Sequence, residues 1–166
     1  NHKILECGFG AGRVIRHLHH NGYDITGIEK DPTIVSRLRT ADPDLKISVG
    51  DLNDLTNYEN KFDIILCFGV IGTIEDIDIA IENLKKILKP NGKLLISSIY
   101  SNFARFLQKK IQNYRNFKLK DNFYSWIGSK NEWQDFYLNN NFETIEYSYI
   151  NSQYIIYYWL PIFRSK

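Results

Sequence analysis

Short apolar runs of four to seven residues alternate along this chain with longer stretches whose apolar positions recur every three or four residues. That alternation is the signature of a parallel sheet assembled from βαβ units. Lys3–Cys7 is the first predicted strand, running into a turn at residues 8–12. Residues 13–21 form a predicted helix with Val14, Ile15 and Leu18 on one face and Gly22 as its stop. Asp24–Glu29 is the second strand. Pro32–Ala41 follows as a helix capped by Asp31, since proline suits a first turn and the Asp side chain accepts a free N–H there. Residues 46–49 make a third strand ending at Gly50-Asp51, and 54–60 a short helix. Residues 62–68 are nearly all apolar, as a strand buried on both faces should be. A helix over 77–88 places Ile77, Ile81, Leu84 and Leu88 on one stripe. The turn Lys89-Pro90-Asn91-Gly92 closes it, and 93–98 form the fifth strand. Beyond residue 100 aromatics mix with basic side chains. Ser129 followed by Glu132 is a capping box opening a helix through Asn139, and 144–150 with 153–159 alternate as an antiparallel hairpin. The expected fold is α/β: a doubly wound, seven-stranded, mostly parallel sheet with helices on both faces and a C-terminal antiparallel hairpin.

Composition narrows the function classes. The 166 residues fit one domain, 1–166, and can bury a core without disulfide or metal staples. With 21 basic and 19 acidic residues the net charge is +2, which argues against a global attraction to nucleic acid or membrane. Cys7 and Cys67 sit in separate apolar runs with no CxxC or Cys/His partner, so buried free thiols in a reducing compartment are expected and zinc is not. The longest apolar run, 155–163, has nine residues, too few to span a bilayer. Without a leader-like segment, the cytoplasm is the expected location.

Three motifs carry candidate chemistry. In Glu6-Cys7-Gly8-Phe9-Gly10-Ala11-Gly12-Arg13, a strand ends in closely spaced glycines and feeds a helix. Glycine permits positive φ and lets a ligand touch the backbone, while the helix start turns its amides toward that ligand. The spacing is G-x-G-x-G, and Arg13 stands where a dinucleotide-binding loop has its last Gly or Ala. In Gly27-Ile28-Glu29-Lys30-Asp31, an acid at a strand end can accept both hydroxyls of a ribose. Glu29 lies 29 − 8 = 21 positions after Gly8, near the spacing of a ribose contact. In Val49-Gly50-Asp51-Leu52, the carboxylate can accept an adenine amine and the next amide can reach a ring nitrogen. Each alone is also compatible with an ordinary turn or a solvated cap.

Together with Phe62-Asp63-Ile64-Ile65 in the fourth strand, these residues resemble the class I S-adenosylmethionine (SAM)-dependent methyltransferases over nearly the whole chain. The resemblance implies a Rossmann-like methyltransferase fold that binds SAM and passes its methyl group to a small-molecule acceptor. It implies that Glu6, Gly8, Gly10 and Gly12 line the methionine part and that Glu29, with Lys30 beside it, holds the ribose. Asp51 and Leu52 would read adenine, and Cys67 and Phe68 would sit beside the methyl. Helices covering the cofactor are usual in that family before the first strand, so an N-terminal cap is expected to be missing ahead of Asn1. The Asn/Asp-Pro-Pro-aromatic turn of exocyclic-amine methylation is absent; Cys67-Phe68-Gly69-Val70 stands in its place. Leu66, not proline, precedes Cys67, so a nucleophilic cysteine is not expected. Glu75 and Asp76 read as N-terminal acids of a helix rather than metal ligands.

Residues 101–130 are the expected substrate-side cap, with seven basic residues against one acid, Asp121, and interleaved aromatics. We read them as an amphipathic lid, with stacking on an RNA acceptor as the alternative. His17, His19 and His20 read as surface residues, since no acid completes a metal site. Two other classes use some of the same features: an NAD(P)-dependent oxidoreductase, against which Arg13 and the hairpin count, and a non-catalytic SAM-binding module.

Overall fold

In the first half of the chain, strands and helices alternate as the periodicity predicts. The computed structural model describes residues 2–58, 61–100, 117–118, 124–125, 127–128, 130–151 and 157–165. β1 (Lys3–Cys7) pairs in parallel with β2 (Asp24–Glu29) on one side and β4 (Phe62–Cys67) on the other. β3 (Ile47–Val49) extends the sheet beyond β2, and β5 (Leu88–Ile96) flanks β4. The spatial order β3-β2-β1-β4-β5 reverses direction of winding between β1 and β4. A crevice opens at such a reversal, outside the carboxyl ends of the strands.

The period of two along the strands divides the core between the two faces. Ile4 and Leu66 pack with Ile15 of α1 (Arg13–His20) and with Val35 and Leu38 of α2 (Pro32–Ala41). Leu5, Cys7, Ile65 and Cys67 pack instead with Ile77, Ala80, Ile81, Leu84 and Ile87 of α3 (Ile77–Ile87). Full burial of each Leu or Ile here is worth about 1.5–3 kcal/mol. Both later helices start on Asp caps: Asp31 Oδ1 accepts from Thr33 N at 2.7 Å, and Asp76 Oδ1 from Ile79 N at 3.1 Å. Cys7 and Cys67 are buried free thiols. Among the described residues no helix is long and apolar enough to cross a membrane.

The structure corrects the expected sheet. Its main sheet has nine described strands rather than seven. The expected strand at 93–98 divides at Ser97 into β5 and β6 (Ser98–Tyr100), and β9 (Ile127–Gly128) pairs with β6. β7 (Phe117–Lys118) and β8 (Tyr124–Ser125) form a separate two-stranded pair. The turn at 89–92 lies inside β5 as an irregularity: Asn91 has φ 61°, and the register with β4 shifts between Phe62 and Ile64. Leu88 therefore opens a strand instead of closing a helix. Of the helix expected over 54–60, the described residues form a single 3-10 turn, Thr56–Tyr58, and 59–60 lie outside them.

α4 (Lys130–Asn139) buries Trp133 and Tyr137 beside Phe142, and leads into β10 (Phe142–Asn151) and β11 (Tyr157–Ser165). The hairpin is antiparallel, and β11 runs antiparallel along both β5 and β6. Its second strand is described at 157–165 against an expected 153–159, and 153–156 lie outside the described residues. Pro161 cannot donate to a ladder; in the sheet it sits opposite Tyr147. The Ser129 half of the capping box and most of the 101–130 cap lie outside the described residues.

Candidate active site

A cleft of about 760 Å³ opens at the carboxyl ends of β1, β2, β3 and β4. Its wall comprises Gly8, Ile28, Glu29, Lys30, Gly50, Asp51, Leu52, Asn53, Phe68, Gly69, Val70, Thr73, Ile74 and Glu75. Every lining residue follows or ends a parallel strand, so the fold alone gathers segments that are far apart in sequence.

The glycine turn adopts left-handed backbone at all three glycines, with φ of 68° at Gly8, 50° at Gly10 and 75° at Gly12. Positive φ favours glycine at each, but space distinguishes them. A Cβ on Gly8 would collide with the Val70 side chain, and one on Gly12 would come within 2.6 Å of Leu38 Cδ2; at Gly10 nothing lies within 4 Å. Gly12 is the residue from which α1 starts.

Glu29 ties this turn to β2. Its Oε2 accepts from Gly10 N at 3.0 Å, and its Oε1 from Lys30 N at 2.8 Å and Asp31 N at 3.3 Å. Each carboxylate oxygen has two lone pairs, so acceptor capacity is left over for a hydroxyl. One strand further on, Asp51 Oδ1 accepts from Asn53 N at 3.0 Å and Oδ2 pairs with Lys30 Nζ at 2.8 Å. Partial burial raises the Asp51 pKa, but the Asn53 amide and the Lys30 ammonium outweigh it and leave it below the usual value. Asp51 is therefore an acceptor-only carboxylate at neutral pH.

Glu6 is the contrast. It is 4% exposed, and Oε2 has no hydrogen-bond partner. Burial pushes its pKa up to about 7, opposed only by a hydrogen bond from the Ile15 backbone. A buried acceptor without a partner costs roughly 1–3 kcal/mol, so its presence under the glycine turn needs a reason.

Of the sequence-predicted site residues, Gly8, Glu29, Lys30, Asp51, Leu52 and Phe68 line the cleft. Glu6, Gly10 and Gly12 are not among the lining residues; Gly10 N donates to Glu29, and Glu6 is buried. Cys67 is placed in the core with its thiol pushed up to about 12 by burial, away from the cleft wall. Asp76 caps α3, as expected of a helix N-terminal acid, while Glu75 lines the cleft. His20 Nε2 lies 3.1 Å from Asp42 on the helical side of the sheet. Sequence reasoning missed Asn53, Val70, Thr73, Ile74 and Ser97. For Asn53, Val70, Thr73 and Ile74 the one available signal is position after a strand, and Ser97 falls within the expected strand at 93–98.

The residues present fit S-adenosylmethionine, the cofactor that the resemblance implies. The cleft is elongated across four strand ends, with acidic acceptors at the β2 and β3 end. At the other end the bare backbone of Gly8 forms a cradle that a Cβ would fill, and Glu6, two residues earlier in the chain, carries an orphaned buried oxygen suited to a cation.

Comparison with known proteins agrees. A family profile described as "Methyltransferase domain" matches residues 5–96. Among relatives, a ubiquinone biosynthesis O-methyltransferase of Coxiella burnetii is 27% identical over 108 residues, covering 63% of this chain and 46% of the relative. One of Rickettsia conorii is 30% identical over 103 residues, covering 58% of this chain and 35% of the relative. The chain spans about half the length of these relatives or less. Among solved structures, a SAM-dependent methyltransferase of Methanosarcina mazei superposes with a TM-score of 0.83 at 16% identity, covering 99% of this chain and 92% of the other. The 1,6-didemethyltoxoflavin-N1-methyltransferase of Burkholderia thailandensis, solved with 1,6-didemethyltoxoflavin and S-adenosylhomocysteine, gives 0.81 at 15% identity, covering 99% and 71%.

Proposed function

This chain belongs to the methyltransferase domain family, of the class I SAM-dependent kind, and on that premise we propose that it methylates a small-molecule acceptor in the cleft described above. The observation that carries the reading is the junction of Glu29 with the glycine turn. Gly10 N donates to Glu29 Oε2 at 3.0 Å, so the segment that cradles a ligand and the acid that would hold its ribose are one hydrogen-bonded unit.

In this reading Gly8 and Gly10 present backbone to the methionine half, and Glu6 offers its free oxygen to the amino group. Gly12 fixes where the turn enters α1. Glu29 takes a ribose hydroxyl on its remaining lone pair, with Lys30 completing the β2 end of the cleft. Asp51 accepts the adenine amine and the Leu52 amide reaches a ring nitrogen. Phe68 closes the wall next to the methyl, with Cys67 supporting it from the core. SAM, when bound, supplies a methyl group already attached to a good leaving group. The chain's own task is therefore positioning and exclusion of water, and fixing two reactants can supply about 7–11 kcal/mol.

A small-molecule acceptor is supported by the names of the relatives and of the toxoflavin methyltransferase, and the relatives' being O-methyltransferases favours an oxygen acceptor. Residues 1–166 are read as one catalytic domain, with 101–130 as its substrate-side cap. The test is titration calorimetry with SAM, S-adenosylhomocysteine and NAD, followed by transfer of labelled methyl from SAM over a panel of phenols and amines. Binding of both adenosyl ligands without NAD, and label in a small molecule, is expected. Tight NAD binding with no SAM signal would end the methyltransferase reading.

A further inference from the structure

Ser97 and Glu6 are the two polar side chains buried in the described core, at 6% and 4% exposure. Ser97 lies between β5 and β6. Its backbone N–H donates to Cys67 O at 3.0 Å, so it continues the ladder past the end of β4. Its hydroxyl oxygen accepts from Gly69 N at 2.6 Å. Gly69 has φ 72°, a left-handed turn made as the chain leaves β4. The next residue, Val70, rests its side chain on the Cα of Gly8, where any Cβ would collide. Val70 O in turn accepts from both Thr73 N and Thr73 Oγ1 at 2.8 Å. Gly8, Gly69, Val70 and Thr73 all line the cleft. A chain of contacts thus runs from the Ser97 hydroxyl through Gly69 and Val70 to the glycine turn, crossing β4 just beyond its last residue.

We propose that Ser97 is a positioning residue for methyl transfer: by holding Gly69 it seats Val70 on Gly8 and sets the cleft wall where the cofactor's methionine half lies. This rests on the reading that the methionine half lies at Gly8. A left-handed residue has no helix or sheet partner to direct it, so a single short hydrogen bond decides where the following side chain points. Removing the hydroxyl leaves the Gly69 amide without its acceptor, and the wall at Val70 is then free to shift. The adenosine end, built on β2 and β3, has no part in this chain of contacts.

The test uses ligands of different reach. Titration calorimetry with adenosine, S-adenosylhomocysteine and SAM is run on wild type, Ser97→Ala, Ser97→Thr and Val70→Ala, with thermal melts of each. Ser97→Ala is expected to weaken the two full-length ligands about tenfold while adenosine changes less than about twofold. Ser97→Thr, which keeps the hydroxyl, should return both toward wild type. Val70→Ala should reproduce the selective loss, and it carries the test if Ser97→Ala does not fold. Equal weakening of all three ligands, or none, overturns the proposal and leaves Ser97 a purely structural hydroxyl. Wild type binding adenosine as tightly as S-adenosylhomocysteine would instead remove the reading of the cleft on which the proposal rests.

Discussion

At the β2–β3 end of the cleft the side chains are charged, partly exposed and already satisfied: Glu29 holds three backbone amides, and Lys30 pairs with Asp51. At the β1–β4 end Glu75 is the one charged residue of the described lining. That end is shaped by the bare backbone of Gly8, the Val70 side chain against it and one buried carboxylate, Glu6, with an unpaired oxygen. A polar end that is pre-ordered by its own hydrogen bonds can recognise a nucleoside with little rearrangement. An end defined by packing tolerates no added atoms, and its single orphaned group marks where a ligand must complete the structure. The two ends should therefore fail in different ways.

The largest effect is expected at Gly8. Gly8→Val would add strain at φ 68° and a collision with Val70, together roughly 2–5 kcal/mol of stability, and would abolish SAM binding. Gly10→Ala is the control, since it meets strain but no neighbour within 4 Å and should cost about 1 kcal/mol. Urea titration of both variants measures the difference. Similar losses would show that conformation, not close approach, explains the glycines.

At the opposite end Glu29→Ala should weaken SAM by roughly 2–4 kcal/mol, since charge-assisted contacts to the ribose are lost. It also releases the Gly10 amide, so the loss should reach the methionine half. Adenosine should then be weakened less than SAM. A variant that folds and binds SAM like wild type would refute the ribose assignment.

Glu6 adds a pH dependence close to neutrality. Burial raises its pKa from 4.5 to about 7, so the folded protein prefers the neutral acid. That preference contributes fully below the unfolded value near 4.5 and is lost as pH rises through 7, by at most about 3 kcal/mol. Glu6→Gln cannot ionise, so it should flatten this slope and be the more stable protein at pH 8. With the cofactor's ammonium beside Glu6, wild-type affinity should rise between pH 5 and 7 with proton release on binding, and Glu6→Gln should show neither. Urea midpoints and calorimetry in buffers of differing ionisation enthalpy read both.

The same division explains how much of the molecule was legible in the sequence. The charged end was legible because its chemistry sits at fixed offsets from strand ends: Glu29 and Asp51 each terminate a recognisable apolar run. The five parallel strands were legible for the same reason, as Phe62–Cys67 shows. The packed end was not. Nothing about a serine after an apolar strand announces a hydroxyl that holds Gly69, and nothing in Val70 predicts that it rests on Gly8; both depend on strands β1, β4 and β5 lying side by side. The resemblance implies Cys67 beside the methyl, but the two-residue period turns its side chain into the core. The strand count differs because the expected fifth strand divides at Ser97 and Ile127–Gly128 adds another, while the bounds moved where proline and an Asn-Gly turn, ordinarily breakers, lie inside β11 and β5.

The smallest predicted effect separates two residues that touch. Lys30 and Asp51 lie 2.8 Å apart, yet their side chains are 76% and 37% exposed, so water screens the pair and its worth to stability is under about 1 kcal/mol. Asp51, however, is oriented a second time by the Asn53 amide at 3.0 Å, which holds the carboxylate whether or not Lys30 is present. Lys30→Ala should therefore leave the fold and adenosine affinity within about twofold of wild type and reduce the salt dependence of binding. Asp51→Ala removes the acceptor itself and should weaken adenosine by roughly 1–2 kcal/mol, the remainder being carried by the Leu52 amide. The double variant should match Asp51→Ala if Lys30, which lines the cleft, acts on the ligand only through the carboxylate it pairs with. Additive losses in that cycle would mean that Lys30 contacts the ligand directly, and the pre-ordered end of the cleft would then owe part of its recognition to a mobile surface side chain.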